Sequence, residues 1–323
     1  MISKGGKYMS KKIFVYLLVL LLPFIYSCRN SGETGKADNK LHVIATIFPL
    51  YDMARNIGGE KVAVSMLLPP ATDAHNYELK PDDIIKISKA DLFLYVNMEL
   101  EQWAHKVIAA TSSKSKLLPV ETGSGIGMFP STGGGKVVEH HRQHHSAKFD
   151  PHIWLDFNNA QKMADSIASA LVKTDPRHSD YYLKNATQYK NKLTALDNKF
   201  RTELTGCKSR TILHAGHWAF AYLADRYGLK YYSVYNASAD SEPEPQKIME
   251  LIAQIKNAKA SYIYSEDLIN PRLAQTIAQE TGANLLKLNN GHAISKAEMS
   301  RNVSFLELME ENLVNLKRGL QCP

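Results

Sequence analysis

Short apolar runs of strand length alternate with helical stretches along most of this chain. The alternation occurs twice, on either side of a long polar segment. Leu41–Thr46, Val62–Leu67, Leu92–Val96 and Lys116–Pro119 read as strands, with helices expected at 50–57, 81–89 and 99–110. The rhythm resumes with strands at Thr211–Leu213, Tyr231–Val234, Ser261–Tyr264 and Asn284–Leu288. Helices are expected at 217–227, 245–257, 271–281 and 297–319. Continuous apolar strands separated by helices belong to parallel sheets covered on both faces. The polar segment 159–204 is broken at Asp175-Pro176, after which the pattern predicts one helix of some 25 residues, roughly 40 Å long. The expected fold is therefore α/β. It has two lobes, at 41–176 and 206–323, each a small mainly parallel sheet flanked by helices, joined by a rigid helix across 177–205.

The N-terminus has a different character. Lys11 and Lys12 precede an apolar run from Ile13 to Tyr26, fourteen residues that are too few to span a bilayer comfortably. A basic segment followed by a short apolar one reads as an export signal over 1–27. Its end, Ile25-Tyr26-Ser27-Cys28, resembles a bacterial lipobox, in which Cys28 is lipidated and becomes the mature terminus. The alternative is an ordinary cleaved signal with an incidental cysteine. Residues 28–40 are polar and glycine-containing, and suit a flexible tether. The net charge of +7 is largely local, because Lys4, Lys7, Lys11 and Lys12 lie in the signal with no acid among them. No basic stripe interleaved with aromatics follows, which argues against nucleic acid as a partner.

The histidines carry the chemistry. Four of the twelve, His140, His141, His144 and His145, lie in a glycine-flanked, histidine-rich loop at 122–148 that suits weak auxiliary metal binding. Three more have particular settings. His75 lies in Asp73-Ala74-His75-Asn76-Tyr77-Glu78, His152 in Asp150-Pro151-His152-Ile153-Trp154-Leu155-Asp156, and His217 follows the strand Thr211–Leu213. Each falls after a strand or an extended loop. Parallel α/β sheets gather ligand sites at the carboxyl ends of their strands, so the three can converge in one cleft. Neutral imidazoles from separate elements suit tetrahedral Zn²⁺ better than Mn²⁺ or Mg²⁺.

The residues around these histidines resemble the metal motifs of the zinc-specific substrate-binding proteins of ABC transporters, the ZnuA/TroA-like family. Asn97–Trp103, Ser241–Pro245 and Glu310–Leu320 also resemble segments of that family, and the resemblance covers about residues 41–320. It implies two α/β lobes on a rigid helix, with one Zn²⁺ held in the cleft between them. It further implies transfer of that ion to a membrane permease with no chemical step. The expected protein is thus not an enzyme. It is a monomeric, extracytoplasmic lipoprotein on the periplasmic face or the cell surface.

Counting back from Gly228 aligns His217 with the family's third ligand and leaves His214 beside the site. The fourth ligand stays open between His292, in Asn289-Asn290-Gly291-His292, and water. Glu266 and Asp156, with Asp73 and Asp150, are candidates to accept the second ring N–H of a metal-bound histidine. A hydrolase using three histidines, with Glu266 as base, is the competing class, and a surface metal buffer or adhesin is a third. No H-E-x-x-H stretch supports the hydrolase. Cys207 and Cys322 both fall at the end of the second sheet away from the cleft, where an exported protein permits a disulfide. Protons compete with metal for imidazoles, so affinity is expected to fall below about pH 6.5 with several protons involved.

Overall fold

The computed structural model describes residues 2, 40–75, 77–111, 116–131, 149–237, 243–266 and 270–323. Apart from residues 2 and 40, the signal and the tether with Cys28 lie outside the described residues, as do His140, His141, His144 and His145.

The first lobe is built on β1 (Leu41–Ala45), β2 (Val62–Met66), β3 (Leu92–Tyr95) and β4 (Leu118–Glu121), with α1 (Phe48–Gly58), α2 (Pro81–Ser88) and α3 (Ala104–Thr111) between them. Its strands are all parallel, in the order β2-β1-β3-β4. Then come α4 (Phe157–Thr174) and α5 (Ser179–Glu203). The second lobe contains β5 (Thr211–His214), α6 (Ala221–Arg226), β6 (Lys230–Ser233), α7 (Pro245–Asn257), β7 (Tyr262–Ser265), α8 (Pro271–Thr281) and β8 (Asn284–Lys287). It ends in α9 (Lys296–Ser300) and α10 (Phe305–Leu320). Its sheet is also wholly parallel, and the order β6-β5-β7-β8 repeats that of the first. In each sheet the chain turns back beside the first strand, leaving a crevice at the carboxyl ends. Among the described residues no helix is long and apolar enough to cross a membrane.

The linking helix α5 is 25 residues long and is tied to both lobes. Asn185 donates to the Ile57 carbonyl at 3.0 Å, and Tyr189 donates to Asp52 at 3.2 Å, both on α1. Toward the second lobe, Asp197 receives Arg226 Nε at 2.7 Å and the Tyr227 hydroxyl at 2.8 Å. One apolar core runs through both lobes, with Phe157, Phe200, Leu223 and Leu316 fully buried in it. A second cluster around Leu213, Val234, Leu251 and Ile263 fills the other face of the second sheet. A shared close-packed core resists bending, so the lobes meet as one rigid body rather than across a loose hinge.

Three helices depart from what periodicity predicts, because local caps or tertiary partners take their backbone groups. The helix expected over 99–110 begins only at Ala104. Asn97 Oδ1 instead accepts the Glu99 and Leu100 N–H groups, and the buried Glu101 carboxylate accepts Thr46, Val96 and Asn97. The helix expected over 217–227 begins at Ala221, since the N–H groups of 217, 218 and 219 donate to Glu266, to the Asn236 carbonyl and to the Tyr231 hydroxyl. The helix expected over 297–319 is two. Asn302 takes a left-handed φ of 54°, and Ser304 opens α10 with a reciprocal cap to Glu307. Cys207 and Cys322 are joined in a disulfide beside the bonds from Lys208 and Ser209 to the carbonyls of Gln321 and Leu320.

Candidate metal centre

Four histidines converge in the crevice. His75 follows β2, His152 precedes α4, His217 follows β5 and His292 follows β8. One ring nitrogen from each lies within 4.8 Å of the other three. The Nε2 atoms of His152 and His217 are 3.1 Å apart, and those of His75 and His152 are 3.3 Å apart. Tetrahedral Zn–N bonds of 2.0–2.1 Å place neighbouring nitrogens roughly 3.3 Å apart, so these spacings match the edges of a zinc tetrahedron. His152 is fully buried and His217 and His292 nearly so. Neither ring nitrogen of His292 has a hydrogen-bond partner among the described residues, an arrangement that suits a cation between the rings.

A local device positions three of the four. Asp73 Oδ1 accepts the His75 N–H at 2.9 Å, and Asp150 Oδ1 accepts the His152 N–H at 3.0 Å. Asn290 Oδ1 accepts the His292 N–H at 3.0 Å. Each is an Asx turn, in which a side chain binds its own backbone two residues on. The chain thus writes Asp-Ala-His, Asp-Pro-His and Asn-Gly-His for the same geometry. Asn290 was absent from the sequence-derived candidates, although this repeated spacing was the signal that marks it.

His217 is placed by tertiary contacts instead. Its N–H and its Nδ1–H both donate to Glu266 Oε1, each at 2.7 Å. The second nitrogen of His152 is held likewise, with Nδ1–H donating to Asp150 Oδ1 at 2.7 Å. In both rings this leaves the Nε2 lone pair facing the centre. His214 stands beside the cluster and outside it: its Nδ1 meets the Tyr231 hydroxyl at 3.0 Å, and burial lowers it to about pH 4, so it adds no charge. Asp156, expected among the orienting carboxylates, has another task. Its Oδ1 caps α4 at Asn158 and Asn159 and accepts Arg226 at 2.8 Å, because a carboxylate preceding a helix satisfies N–H groups that have no other partner.

Burial sets the protonation. It pushes His152 well below the ordinary imidazole value, with the neighbouring rings of His217, His75 and His292 adding to the fall. It takes His292 down to about 3 against the pull of Asp73. Asp150 is raised by burial to about 8, against the pull of the His152 N–H and of His217. Burial also opposes charge on His217 and Glu266, but their mutual attraction outweighs it. His217 is raised and Glu266 is held at about 2.

Gly216 lies under this pair. A Cβ there would stand 2.4 Å from both Glu266 Oε1 and the His214 ring. Gly216→Ala is expected to displace Glu266, and His217 with it, and to lower zinc affinity by about 10–100-fold. Calorimetric titration of the variant checks this, and an unchanged affinity would remove Glu266 from its positioning role.

Two parallel α/β lobes on a shared core, with an imidazole cluster at their carboxyl edges, define a two-lobe metal-binding protein. The family ZnuA, described as zinc-uptake complex component A, periplasmic, matches residues 43–319, and the chain belongs to it. It is 33% identical over 316 residues to the high-affinity zinc uptake system protein ZnuA of Bacillus subtilis, covering 95% of this chain and 97% of that one. It is 31% identical over 312 residues to the zinc-binding lipoprotein AdcA of Streptococcus pneumoniae, covering 95% of this chain but 61% of that longer protein. The Zn(II)-bound ZnuA-like domain of the pneumococcal AdcA superposes with a TM-score of 0.73 at 29% identity, covering 87% of this chain and 99% of that domain. The laminin-binding protein Lmb of Streptococcus agalactiae superposes with a TM-score of 0.75 at 29% identity, over 87% of this chain and 99% of that one. The four-histidine cluster fits the zinc that the first of these structures holds.

Proposed function

We propose that this chain is an extracytoplasmic zinc receptor that captures Zn²⁺ on His75, His152, His217 and His292 and delivers it to an ABC-type import permease. It acts as a monomer tethered through lipid on Cys28, with the histidine-rich loop gathering ions at low affinity. The observation that carries this reading is the set of four imidazole nitrogens within 4.8 Å of one another. Capture is favoured over hydrolysis by the state of Glu266. Its Oε1 holds His217, and its Oε2 accepts the Asn290 amide at 2.7 Å, so neither oxygen is available as a base. His292 also closes the position that a catalytic zinc keeps open for water. Competitive titration tests the reading: Zn²⁺ should bind at one tight site and displace Mn²⁺, since imidazole favours zinc and no cluster of hard oxygens competes among the described residues. Mn²⁺ binding as tight as zinc overturns it.

The pH dependence follows from the shifts. A raised His217 keeps a proton that Zn²⁺ must displace, so affinity falls as pH drops through its pKa and recovers above it. His152 and His292 are lowered and hold no competing proton between pH 7 and 5. Two of the four ligands therefore bring no competing proton, so the fall is shallower than four ordinary imidazoles would give. Titrations across that range should give a slope of log affinity against pH clearly below about 4. A slope of about 4 would contradict the burial argument.

A further inference from the structure

The segment from Asn290 to Ile294 belongs by sequence to the second lobe, yet the first lobe holds it at alternate residues. Trp154 Nε1–H donates to the Asn290 carbonyl at 2.7 Å, the Phe48 N–H to the His292 carbonyl at 3.3 Å, and the Ala71 N–H to the Ile294 carbonyl at 2.8 Å. Gly291 allows this close seat. Its φ is +80°, and a Cβ there would meet Phe305 at 3.0 Å and the Trp154 indole nitrogen at 3.5 Å.

Asn290 sits where these restraints meet the metal cluster. It is buried, and all three of its polar side-chain and carbonyl functions are used. Its Oδ1 accepts the His292 N–H, its Nδ2–H donates to Glu266 Oε2 at 2.7 Å, and its carbonyl accepts Trp154, two residues beyond His152. One side chain therefore fixes His292 directly and His217 through Glu266, while its backbone is fastened to the loop that carries His152. The two aspartates in equivalent turns could not do this. A carboxylate at 290 has no N–H for Glu266 and would set two negative oxygens in contact. The amide supplies an acceptor on one side and a donor on the other.

We propose that Asn290 is a positioning residue that couples His292 to the Glu266–His217 pair and thereby sets the preference of the site for Zn²⁺ over Mn²⁺. This rests on the four-histidine zinc reading above. With Asn290 in place the four rings stay at tetrahedral spacing. Without it, His292 and His217 lose a common reference, and the site relaxes toward three ligands with open positions. That arrangement weakens zinc and costs manganese less, because Mn²⁺ accepts water and higher coordination.

The test compares Zn²⁺ and Mn²⁺ affinities, and the visible absorption of the Co²⁺-loaded full chain, for the natural protein, Asn290→Ala, Asn290→Asp and Trp154→Phe. Asn290→Ala should lower zinc affinity by about 10–100-fold, as loss of a residue that orients metal ligands does. Manganese affinity should change less, so the Zn/Mn ratio falls about tenfold or more. The intense tetrahedral Co²⁺ bands should weaken in parallel. Asn290→Asp keeps the turn to His292 but replaces the donor to Glu266 by a negative oxygen facing it, so it should move the ratio in the same direction. It also serves as the decisive variant if the alanine protein fails to fold. Trp154→Phe keeps the packing, removes the indole N–H and should give a smaller shift of the same sign. The proposal is overturned if Asn290→Ala and Asn290→Asp keep the natural Zn/Mn ratio and Co²⁺ bands, or if both metals weaken equally alongside a lower melting temperature. Failure of the natural protein to bind zinc overturns the zinc reading itself and is seen before any variant is made.

Discussion

His152→Ala is expected to lower zinc affinity by about 10²–10³-fold. Zinc held by a full set of protein ligands gains on the order of 10–16 kcal/mol, so each of four ligands accounts for about 2.5–4 kcal/mol, or roughly two to three decades. His152 is the ligand with the least freedom. It is fully buried, its Nδ1 is fixed by Asp150, and its Nε2 lies 3.1 and 3.3 Å from those of His217 and His75. Its removal also leaves Asp150 buried without its principal partner. His292→Ala is expected to cost less, about one decade, since three histidines and a water make a complete zinc shell. Calorimetry with a competing chelator on both variants checks the order. Equal losses would mean that His292 is as indispensable as His152, and no loss in His152→Ala would move the tight site elsewhere.

Loss of the Cys207–Cys322 disulfide should lower stability by about 3–5 kcal/mol while leaving zinc binding intact. The two residues are 115 positions apart, and a cross-link closing so long a loop removes much of the entropy of the unfolded chain. Both cysteines adjoin the start of β5 and the end of α10, at the edge of the second sheet opposite the histidines. Thermal melts of metal-free Cys207→Ser/Cys322→Ser against the oxidised protein should show a fall of roughly 5–10 °C. A shift below about 2 °C, or a lost tight zinc site, would contradict the assignment of a purely stabilising role.

The local parts of this protein were legible without the fold. Strand and helix alternation follows from side-chain periodicity, and both sheets and α5 lie where the apolar pattern puts them. The Asp-x-His turns at 75 and 152 are also local, since donor and acceptor are two residues apart. Such features depend on neighbours along the chain and survive in any tertiary setting.

What spacing could not reach depends on residues that meet only when both sheets have formed. Glu266 lies 49 residues from His217, and whether it held that ring or stood free as a base was undecided by pattern. Asp156 and Glu266 carry the same group, and the difference between them is position. Asp156 meets a helix N-terminus and Arg226, while Glu266 meets a metal-facing imidazole. The start of α3 gives way to Glu101, whose buried carboxylate accepts Thr46, just past the end of β1, and the backbone N–H groups of Val96 and Asn97. The turn that places His292 is written in the chain as Asn-Gly-His. That the ring joins the other three was decided by Trp154, Phe48 and Ala71, which hold its segment from the opposite lobe. Sequence determined which groups could bind a metal. Burial and the pairing of distant donors with acceptors determined which of them do, because a buried polar group is stable only where the folded chain supplies its partner.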